Sequence, residues 1–158
     1  MMSLVTRRAF NSLALTTLLL NRATGAIATE PTGQLDIGAY RGRILYLDFW
    51  ASWCGPCRLS FPFMAGLTQR YSPRDLAVVT VNLDRSRAQA DSFLARIGGG
   101  LPVVYDNAGA LAHSYRISDM PTSILFDRQG RARFTHKGFH PDQTATYVGH
   151  IDQLVRER

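Results

Sequence analysis

The sequence predicts a single α/β domain whose central mixed sheet is flanked by helices. Strand-like and helix-like segments alternate along the chain, which is typical of a parallel sheet with crossover helices. The turn signal Asp127-Arg128-Gln129-Gly130 then separates the last two strand-like segments and predicts an antiparallel hairpin. A length of 158 residues with 46% hydrophobic residues allows one sizeable core, and 13 glycines with 7 prolines exclude a collagen-like or low-complexity chain.

The first 28 residues have the pattern of an export signal rather than of folded structure. A charged start, an apolar middle and a small-residue cleavage site follow one another: Arg7-Arg8, residues 13–20 and Ala26-Ile27-Ala28. The apolar run is shorter than the roughly 20 residues that cross a bilayer, so we predict cleavage rather than anchoring. The segment around Arg7-Arg8 also resembles the twin-arginine export motif, while the general secretory route stays open. We therefore expect a signal peptide over residues 1–28 and a soluble periplasmic domain over residues 29–158.

The formal net charge of +6 overstates how basic the folded domain is. Cleavage of the signal removes Arg7, Arg8 and Arg22, which leaves 15 basic residues against 12 acidic ones. These basic residues are spread along the chain, whereas a nucleic-acid-binding surface needs a clustered basic face. We therefore predict no nucleic-acid partner.

The first half of the domain is predicted to fold as strand, helix and strand, after a polar, extended lead-in over residues 29–39. Residues 44–50 form a continuous apolar run, as expected of a central strand that is buried on both faces. A helix follows over residues 57–71, where apolar residues recur at helical spacing. The valine-rich segment 76–83 is predicted to be the second strand.

The second half of the domain adds shorter elements of both kinds. Strands are predicted over residues 103–105, 123–126 and 131–135, and helices over residues 88–97, 108–115 and 142–156. The glycine run at 98–100 ends the first of these helices. The last helix has an apolar face, which includes Tyr147 and Ile151.

The chain has two cysteines, Cys54 and Cys57, and they allow three interpretations: a structural disulfide, half of a metal site, or a redox pair. A bridge across so short a loop gives little loop-entropy stabilisation. Zinc needs four ligands, and the histidines have no spacing that completes such a site, so we expect them at the surface: His113, His136, His140 and His150. A redox pair is favoured, and no metal or other cofactor is predicted.

The residues around the pair suit redox chemistry. Cys54 lies just before the predicted helix, which starts at about Cys57, and there free amide groups and the positive helix end favour a thiolate. Cys57 lies one turn further in, close enough to attack a mixed disulfide formed on Cys54. Pro56 suits the first turn because no N–H donor is needed there, and Gly55 leaves room for a substrate sulfur.

Asp48 is the second candidate catalytic residue, because it lies inside the apolar strand 44–50. Burial of a carboxylate is costly unless the group has a partner or a task. Desolvation raises the pKa of such an acid toward neutrality, which is the range that a general base needs. The alternative is an ordinary aspartate at the edge of the strand, hydrogen-bonded to backbone or water.

Two separated motifs carry a resemblance to a known family. The segment Asp48-Phe49-Trp50-Ala51-Ser52-Trp53-Cys54-Gly55-Pro56-Cys57-Arg58 resembles the active-site segment of the thioredoxin superfamily, and Met120-Pro121-Thr122 before a strand resembles its cis-proline loop. Within the superfamily, the chain is most similar to the exported TlpA-like and ResA-like branch. Features of that branch are the signal, Pro62, an inserted helix and strand around residues 93–106, and Tyr115-Arg116-Ile117. The resemblance covers residues 34–158 and implies a thioredoxin-like fold with the insertion before the cis-proline loop.

The resemblance also implies the substrate-binding residues. Pro121 is expected to be cis and to face a Cys54–Cys57 disulfide, with the backbone of Met120 pairing against an extended substrate. Trp53 is expected to be the exposed neighbour of the reactive cysteine, and Gly138 to lie in a loop beside the site.

The function that the resemblance implies is thiol–disulfide exchange, in which Cys54 attacks, Cys57 resolves and Asp48 takes the Cys57 proton. Gly-Pro between the cysteines favours reduction of disulfides in exported proteins, with electrons from a membrane-embedded donor. Many ResA-like proteins have glutamate where this chain has Ser60 and a non-acidic residue where it has Asp48. We therefore expect a broader reductant than one dedicated to cytochrome c maturation, with apocytochrome c and oxidase assembly factors among the partners to consider. A disulfide oxidant or isomerase and a Cu(I) metallochaperone are the alternatives.

Overall fold

The computed structural model describes residues 34–98 and 100–157, which form a five-stranded mixed sheet with helices on both faces. The strands are β1 (Ile44–Trp50), β2 (Leu76–Asn82), β3 (Val103–Tyr105), β4 (Thr122–Phe126) and β5 (Ala132–Lys137). Their order across the sheet is β3-β2-β1-β4-β5. Strands β1, β2 and β3 are parallel, whereas β4 is antiparallel to both β1 and β5. The predicted mixed sheet and its terminal hairpin are confirmed.

Helices connect these strands. The α-helices in the described residues are α1 (Gly55–Arg70), α2 (Arg87–Ile97), α3 (Ala110–Ser114) and α4 (Thr144–Arg156). Short 3₁₀ helices lie at Ile37–Tyr40, before β1, and at Pro141–Gln143, directly before α4. Helix α2 and strand β3 form the expected insertion between β2 and the cis-proline loop.

Strand β1 is buried along its whole length because strands flank it and helices cover both faces of the sheet. Its apolar even-numbered residues pack in a core with residues of α1, α2 and α4. Its odd-numbered residues pack in a second core with α3 and the first 3₁₀ helix. Because side chains alternate across a strand, Asp48 is directed to the same face as α1.

One edge of the sheet collects the segments that matter for function. The parallel strands β1, β2 and β3 end there, at Trp50, Asn82 and Tyr105. Strand β4 runs the other way and begins there, with Thr122 opposite Phe49. The turn after β1 and the loop before β4 are therefore neighbours at the carboxyl edge of the parallel strands, where sheets of this class place their ligands.

Several element boundaries differ from the predicted ones. Helix α1 begins at Gly55 rather than Cys57, because the sulfur of Cys54 accepts the Cys57 amide and caps the first turn. The lead-in is not extended throughout: the Asp36 side chain accepts the Gly38 amide at 2.7 Å and starts a 3₁₀ turn. The last predicted helix likewise opens with a 3₁₀ turn, before α4 begins at Thr144.

The expectation that all histidines lie at the surface is wrong for His136 and His150, which are both half-buried. The Nε2 atom of His136 lies 2.9 Å from Nδ1 of His150, and the His136 ring packs against that of Tyr147, with 4.6 Å between centroids. Burial, together with any charge on His150, lowers the pKa of His136 to about 4. His136 is thus a neutral, half-buried residue at physiological pH. Phe134 and His136 are two residues apart on β5, so their side chains lie on the same face of the strand. This spacing was the sequence signal that His136 would be partly buried.

None of the helices within residues 34–98 and 100–157 is long and apolar enough to cross a bilayer. The export signal predicted over residues 1–28 lies outside the described residues.

Candidate active site

The two cysteines form a disulfide at the start of α1, as the resemblance implies. Their Cα atoms are 5.3 Å apart. Cys54 is the N-cap residue of the helix, and its sulfur accepts the backbone N–H of Cys57 at 3.2 Å. Cys54 is 7% exposed, whereas Cys57 is fully buried. The sulfur nearer to solvent is therefore the one that accepts an amide hydrogen from the first turn of the helix.

This position favours negative charge on the outer sulfur. The first turn of a helix has amide groups without intrahelical partners, and the helix dipole is positive at this end. No acidic residue lies in the first turn of α1, and Pro56 occupies a position where an amide donor is not needed. After reduction, the same capping contact stabilises a thiolate on Cys54.

Asp48 is a buried carboxylate with a single hydrogen-bond partner among the described residues. Its Oδ1 atom accepts the hydroxyl of Ser123 at 2.7 Å, and the hydroxyl of Tyr46 in turn donates to Ser123 at 2.8 Å. Its Oδ2 atom is buried without a partner among those residues. Burial raises the pKa of Asp48 to about 7, against the opposing effect of the Ser123 hydrogen bond. The carboxyl group can therefore take up or release a proton near neutral pH.

The alternative of an edge aspartate does not fit this environment. Asp48 is fully buried in the central strand, and its partner is a side chain of the neighbouring strand β4. It shares the covered face of the sheet with α1, on which Cys57 is also fully buried. Ser123 and Tyr46 were missed at the sequence level. The hydroxyl of Ser123, two residues after Pro121, was the available signal, but its pairing with Asp48 depends on the register of β1 and β4.

The loop before β4 contains a cis peptide bond between Met120 and Pro121, as the resemblance implies. The half-buried Met120 side chain packs against the core cluster that includes both cysteines. The carbonyl of Pro121 accepts the backbone N–H of Gly138 at 2.8 Å, which ties the end of β5 to this loop. Gly138 has φ of +75°, a conformation that favours glycine. The structure therefore brings the predicted loop residues to the sheet edge where the cysteines lie.

The surface around the disulfide is partly apolar. Trp53 is 70% exposed, whereas Trp50 is fully buried, as predicted for both. Gly55 and Pro56 are exposed at the helix start, and a Cβ atom added to Gly55 meets nothing within 4 Å. Open space therefore lies beside the outer sulfur, with a flat aromatic side chain next to it.

A second buried carboxylate, Asp84, holds the turn that precedes Cys54. Its oxygens accept the Ser52 backbone N–H at 3.0 Å, the Ser52 hydroxyl at 3.0 Å and the Asn82 side-chain amide at 2.8 Å. Asp84 is 1% exposed. These hydrogen bonds of Asp84 were missed at the sequence level. The available signal was that Asn82 ends β2 and Asp84 follows two residues later, at the edge of the sheet where the site lies.

The cysteine pair does not belong to a larger cluster of metal ligands. Within residues 34–98 and 100–157, no group of three or more His, Cys, Asp or Glu side chains is arranged to hold a metal ion.

Fold and site together define a thioredoxin-fold protein with a Cys-Gly-Pro-Cys disulfide. Comparison with known proteins identifies the family to which this thioredoxin-fold chain belongs. Residues 21–151 match the Redoxin family, and the chain belongs to that family.

Known relatives agree with this placement. Over 98 residues the chain is 29% identical to the thiol-disulfide oxidoreductase ResA of Bacillus subtilis (strain 168), a match that covers 62% of this chain and 55% of that protein. The chain thus spans little more than half the length of this relative. A solved structure assigned as the thiol:disulfide interchange protein DsbE of Chlorobium tepidum is 38% identical, with a TM-score of 0.74 and coverage of 77% of this chain and 86% of that one. StoA of Bacillus subtilis is 29% identical, with a TM-score of 0.61 and coverage of 71% and 84%. These matches confirm the resemblance to ResA-like members of the thioredoxin superfamily.

Proposed function

We propose that this chain is a thiol–disulfide oxidoreductase that reduces disulfides in partner proteins. The observation that carries the proposal is the Cys54–Cys57 bond at the start of α1, with one sulfur near solvent and its partner fully buried. This arrangement provides one sulfur to attack a substrate and a second to resolve the product. The names of the ResA and DsbE relatives support the same class of reaction.

The reaction proceeds in two exchanges. The Cys54 thiolate attacks one sulfur of a substrate disulfide, so that a mixed disulfide forms and the other substrate sulfur leaves as a thiolate, which takes up a proton. Cys57 then loses its proton and attacks the sulfur of Cys54, which releases the second substrate thiol. Two electrons pass from the cysteine pair to the substrate. One of the two protons comes from Cys57 and the other from solvent, because Cys54 reacts as a thiolate, and the chain is left in the disulfide form described above.

Asp48 is proposed as the base of the second exchange. Its pKa of about 7 suits a group that must accept a thiol proton at neutral pH and return it later. It lies on the sheet face that α1 covers, as does Cys57, whereas Cys54 lies at the helix start nearer to solvent. The expected role of Asp48 is therefore confined to the step in which Cys57 attacks.

Partner proteins are proposed to bind as an extended segment across the mouth of the site. Trp53 offers an exposed aromatic face, and Gly55 with Pro56 leaves the approach to Cys54 open. The backbone of Met120 makes no hydrogen bond to the described residues, so its N–H and C=O groups are available to pair with such a segment. Because Gly138 donates to the neighbouring Pro121 carbonyl, it is proposed to support this loop.

The proposed compartment is the periplasm, reached through the signal of residues 1–28. That compartment is kept oxidising, so a reductant there needs electrons from a membrane-embedded donor. Gly-Pro between the cysteines is the dipeptide of thioredoxin, for which a potential near −270 mV is typical. We propose partners broader than apocytochrome c, because Ser60, whose hydroxyl donates to the Cys57 carbonyl at 2.9 Å, takes the place of the acid common among ResA-like proteins.

Equilibration with glutathione tests the direction of transfer. The oxidised and reduced forms of the protein are quantified across a range of reduced-to-oxidised glutathione ratios. We expect a potential well below about −230 mV, in the range of thioredoxin. A potential above about −180 mV contradicts the reductant and instead supports the oxidant or isomerase.

A further inference from the structure

A groove of about 370 Å³ lies beside the active-site turn, between that turn and α2. Its lining residues are Ser52, Ala88, Gln89, Ser92 and Arg96. The four helical residues lie along one stripe of α2, because positions four apart share a helix face. We call this feature the α2 groove.

The guanidinium of Arg96, the one charged side chain that lines the α2 groove, has no acidic partner in the described residues. Arg96 on its wall and Arg58 on α1 form no ion pair there; the Arg58 guanidinium instead lies 5.7 Å from the centroid of the buried Phe93 ring. The single acid of α2, Asp91, is occupied by Arg87 and by the Tyr105 hydroxyl at 2.7 Å.

The other polar side chains in and behind the groove are either without a hydrogen-bond partner in the described residues or buried. The side chains of Gln89 and Ser92 make no hydrogen bond to the described residues, so their donors are open to a ligand. Asp84 lies behind Ser52, but it is 1% exposed and its oxygens are occupied by Ser52 and Asn82. The groove therefore offers one guanidinium without an acidic partner and the free polar side chains of Gln89 and Ser92, which can together bind a carboxylate.

The groove is close to the reacting sulfur. Ser52 precedes Cys54 by two residues, a separation of at most about 7 Å along the backbone. Trp53 lies between them and is 70% exposed. A segment that crosses Trp53 therefore reaches both the groove and the outer sulfur.

We propose that the α2 groove binds an acidic segment of the partner protein, a few residues from the disulfide that Cys54 attacks. This inference rests on the proposed function, because it assumes that a partner disulfide reaches Cys54. The groove then selects among partners: those with Asp or Glu beside the reactive disulfide dock with the carboxylates toward Arg96.

Two synthetic peptides test the proposal, each with one internal disulfide and identical except that three Asp residues in one are Asn in the other. The rate of exchange with the full protein is measured for wild type, for Arg96→Glu and for the control Arg74→Glu. Arg74 is exposed in the loop before β2, at the opposite edge of the sheet. Wild type and Arg74→Glu are expected to react about fivefold faster with the acidic peptide, the effect of one surface charge pair. Arg96→Glu is expected to lose this preference.

Salt provides a second readout. In 1 M salt the Debye length falls to about 3 Å, so the wild-type preference is expected to vanish while reaction with the neutral peptide is unchanged. Equal rates for both peptides at low salt, or a preference that survives in Arg96→Glu, overturn the proposal. Exchange is measured from both the reduced and the oxidised protein, so the equilibrium constant tests the reductive function separately from the peptide preference.

Discussion

Replacing Asp48 by Asn is expected to make the oxidised protein more stable than wild type, by an amount that grows as the pH rises. The folded-state pKa of Asp48 lies at about 7, above the ordinary value of 3.8, because the group is fully buried. Between these two values the folded chain holds a proton that the unfolded chain has lost, so the free energy of unfolding falls as pH increases through this window. Above pH 7 the folded wild-type protein carries an ionised, buried carboxylate, whereas the amide that replaces it in the variant stays neutral.

The magnitude follows from the same shift. A displacement of about three pKa units, at about 1.4 kcal/mol per unit, corresponds to roughly 4 kcal/mol. The difference in unfolding free energy between Asp48→Asn and wild type is therefore expected to rise by up to about 4 kcal/mol from pH 4 to pH 8. This is a large fraction of the stability of an ordinary domain.

Urea denaturation of the two oxidised proteins at pH 4, 6 and 8 measures this difference, with an unchanged m value as the check on two-state behaviour. Asp127→Asn is the matched control. Burial acts to raise the pKa of Asp127, but hydrogen bonds from Arg131, Gln129 and Arg133 together lower it. Its ionised form therefore stabilises the fold above its unfolded pKa, and Asp127→Asn is expected to destabilise the protein at pH 8.

The refuting result is a difference between Asp48→Asn and wild type that does not change with pH. A difference of the opposite sign at pH 8 also contradicts the reasoning, because it means that the ionised carboxylate is stabilised by contacts that outweigh its burial.

Three further predictions concern the groups around the site. Ser123→Ala removes the hydrogen bond that lowers the pKa of Asp48, so the pH at which mixed-disulfide release becomes fast is expected to move upward in a stopped-flow pH profile. His136→Phe is expected to reduce the loss of unfolding free energy as the pH falls from 6.5 to about 4. In this range the imidazole of the unfolded wild-type chain is protonated, whereas the buried imidazole of the folded chain stays neutral. Urea denaturation at both ends of the range measures this difference. Asp84→Asn replaces one accepting oxygen by an amide group, so that a hydrogen-bond donor of Ser52 or of the Asn82 side chain loses its acceptor. The unfolding free energy at pH 7 is expected to fall by about 1–3 kcal/mol, which a urea titration measures.

The residues around Cys54 and Cys57 predicted a redox pair at the start of a helix, and the family resemblance implied the disulfide between them. The place of Cys54 just before a helix follows from the Cys54-Gly55-Pro56-Cys57 spacing, because the first turn of a helix depends on neighbours in the sequence, although the helix begins two residues earlier than predicted. A buried carboxylate was also foreseeable, since Asp48 interrupts an apolar run. The structure confirms that Cys54 lies at the start of the helix and that Asp48 is fully buried.

Contacts between distant segments were not foreseeable from local pattern. The bond from Ser123 to Asp48 joins residues 75 apart and depends on the register of two antiparallel strands. The pairing of His136 with His150 likewise depends on how α4 packs over β5. The sequence indicates which single residues carry chemical function, but their hydrogen-bond partners depend on the tertiary packing of distant segments.

Trapping of the mixed disulfide tests the central claim most directly. Reduced Cys57→Ser and reduced Cys54→Ser are each mixed with a peptide disulfide, and covalent adducts are measured by mass spectrometry. The account predicts a stable adduct of Cys57→Ser through Cys54, and almost none for Cys54→Ser because its remaining sulfur is fully buried. Equal adduct formation by both variants, or attachment through Cys57 alone, contradicts the assignment of the attacking sulfur.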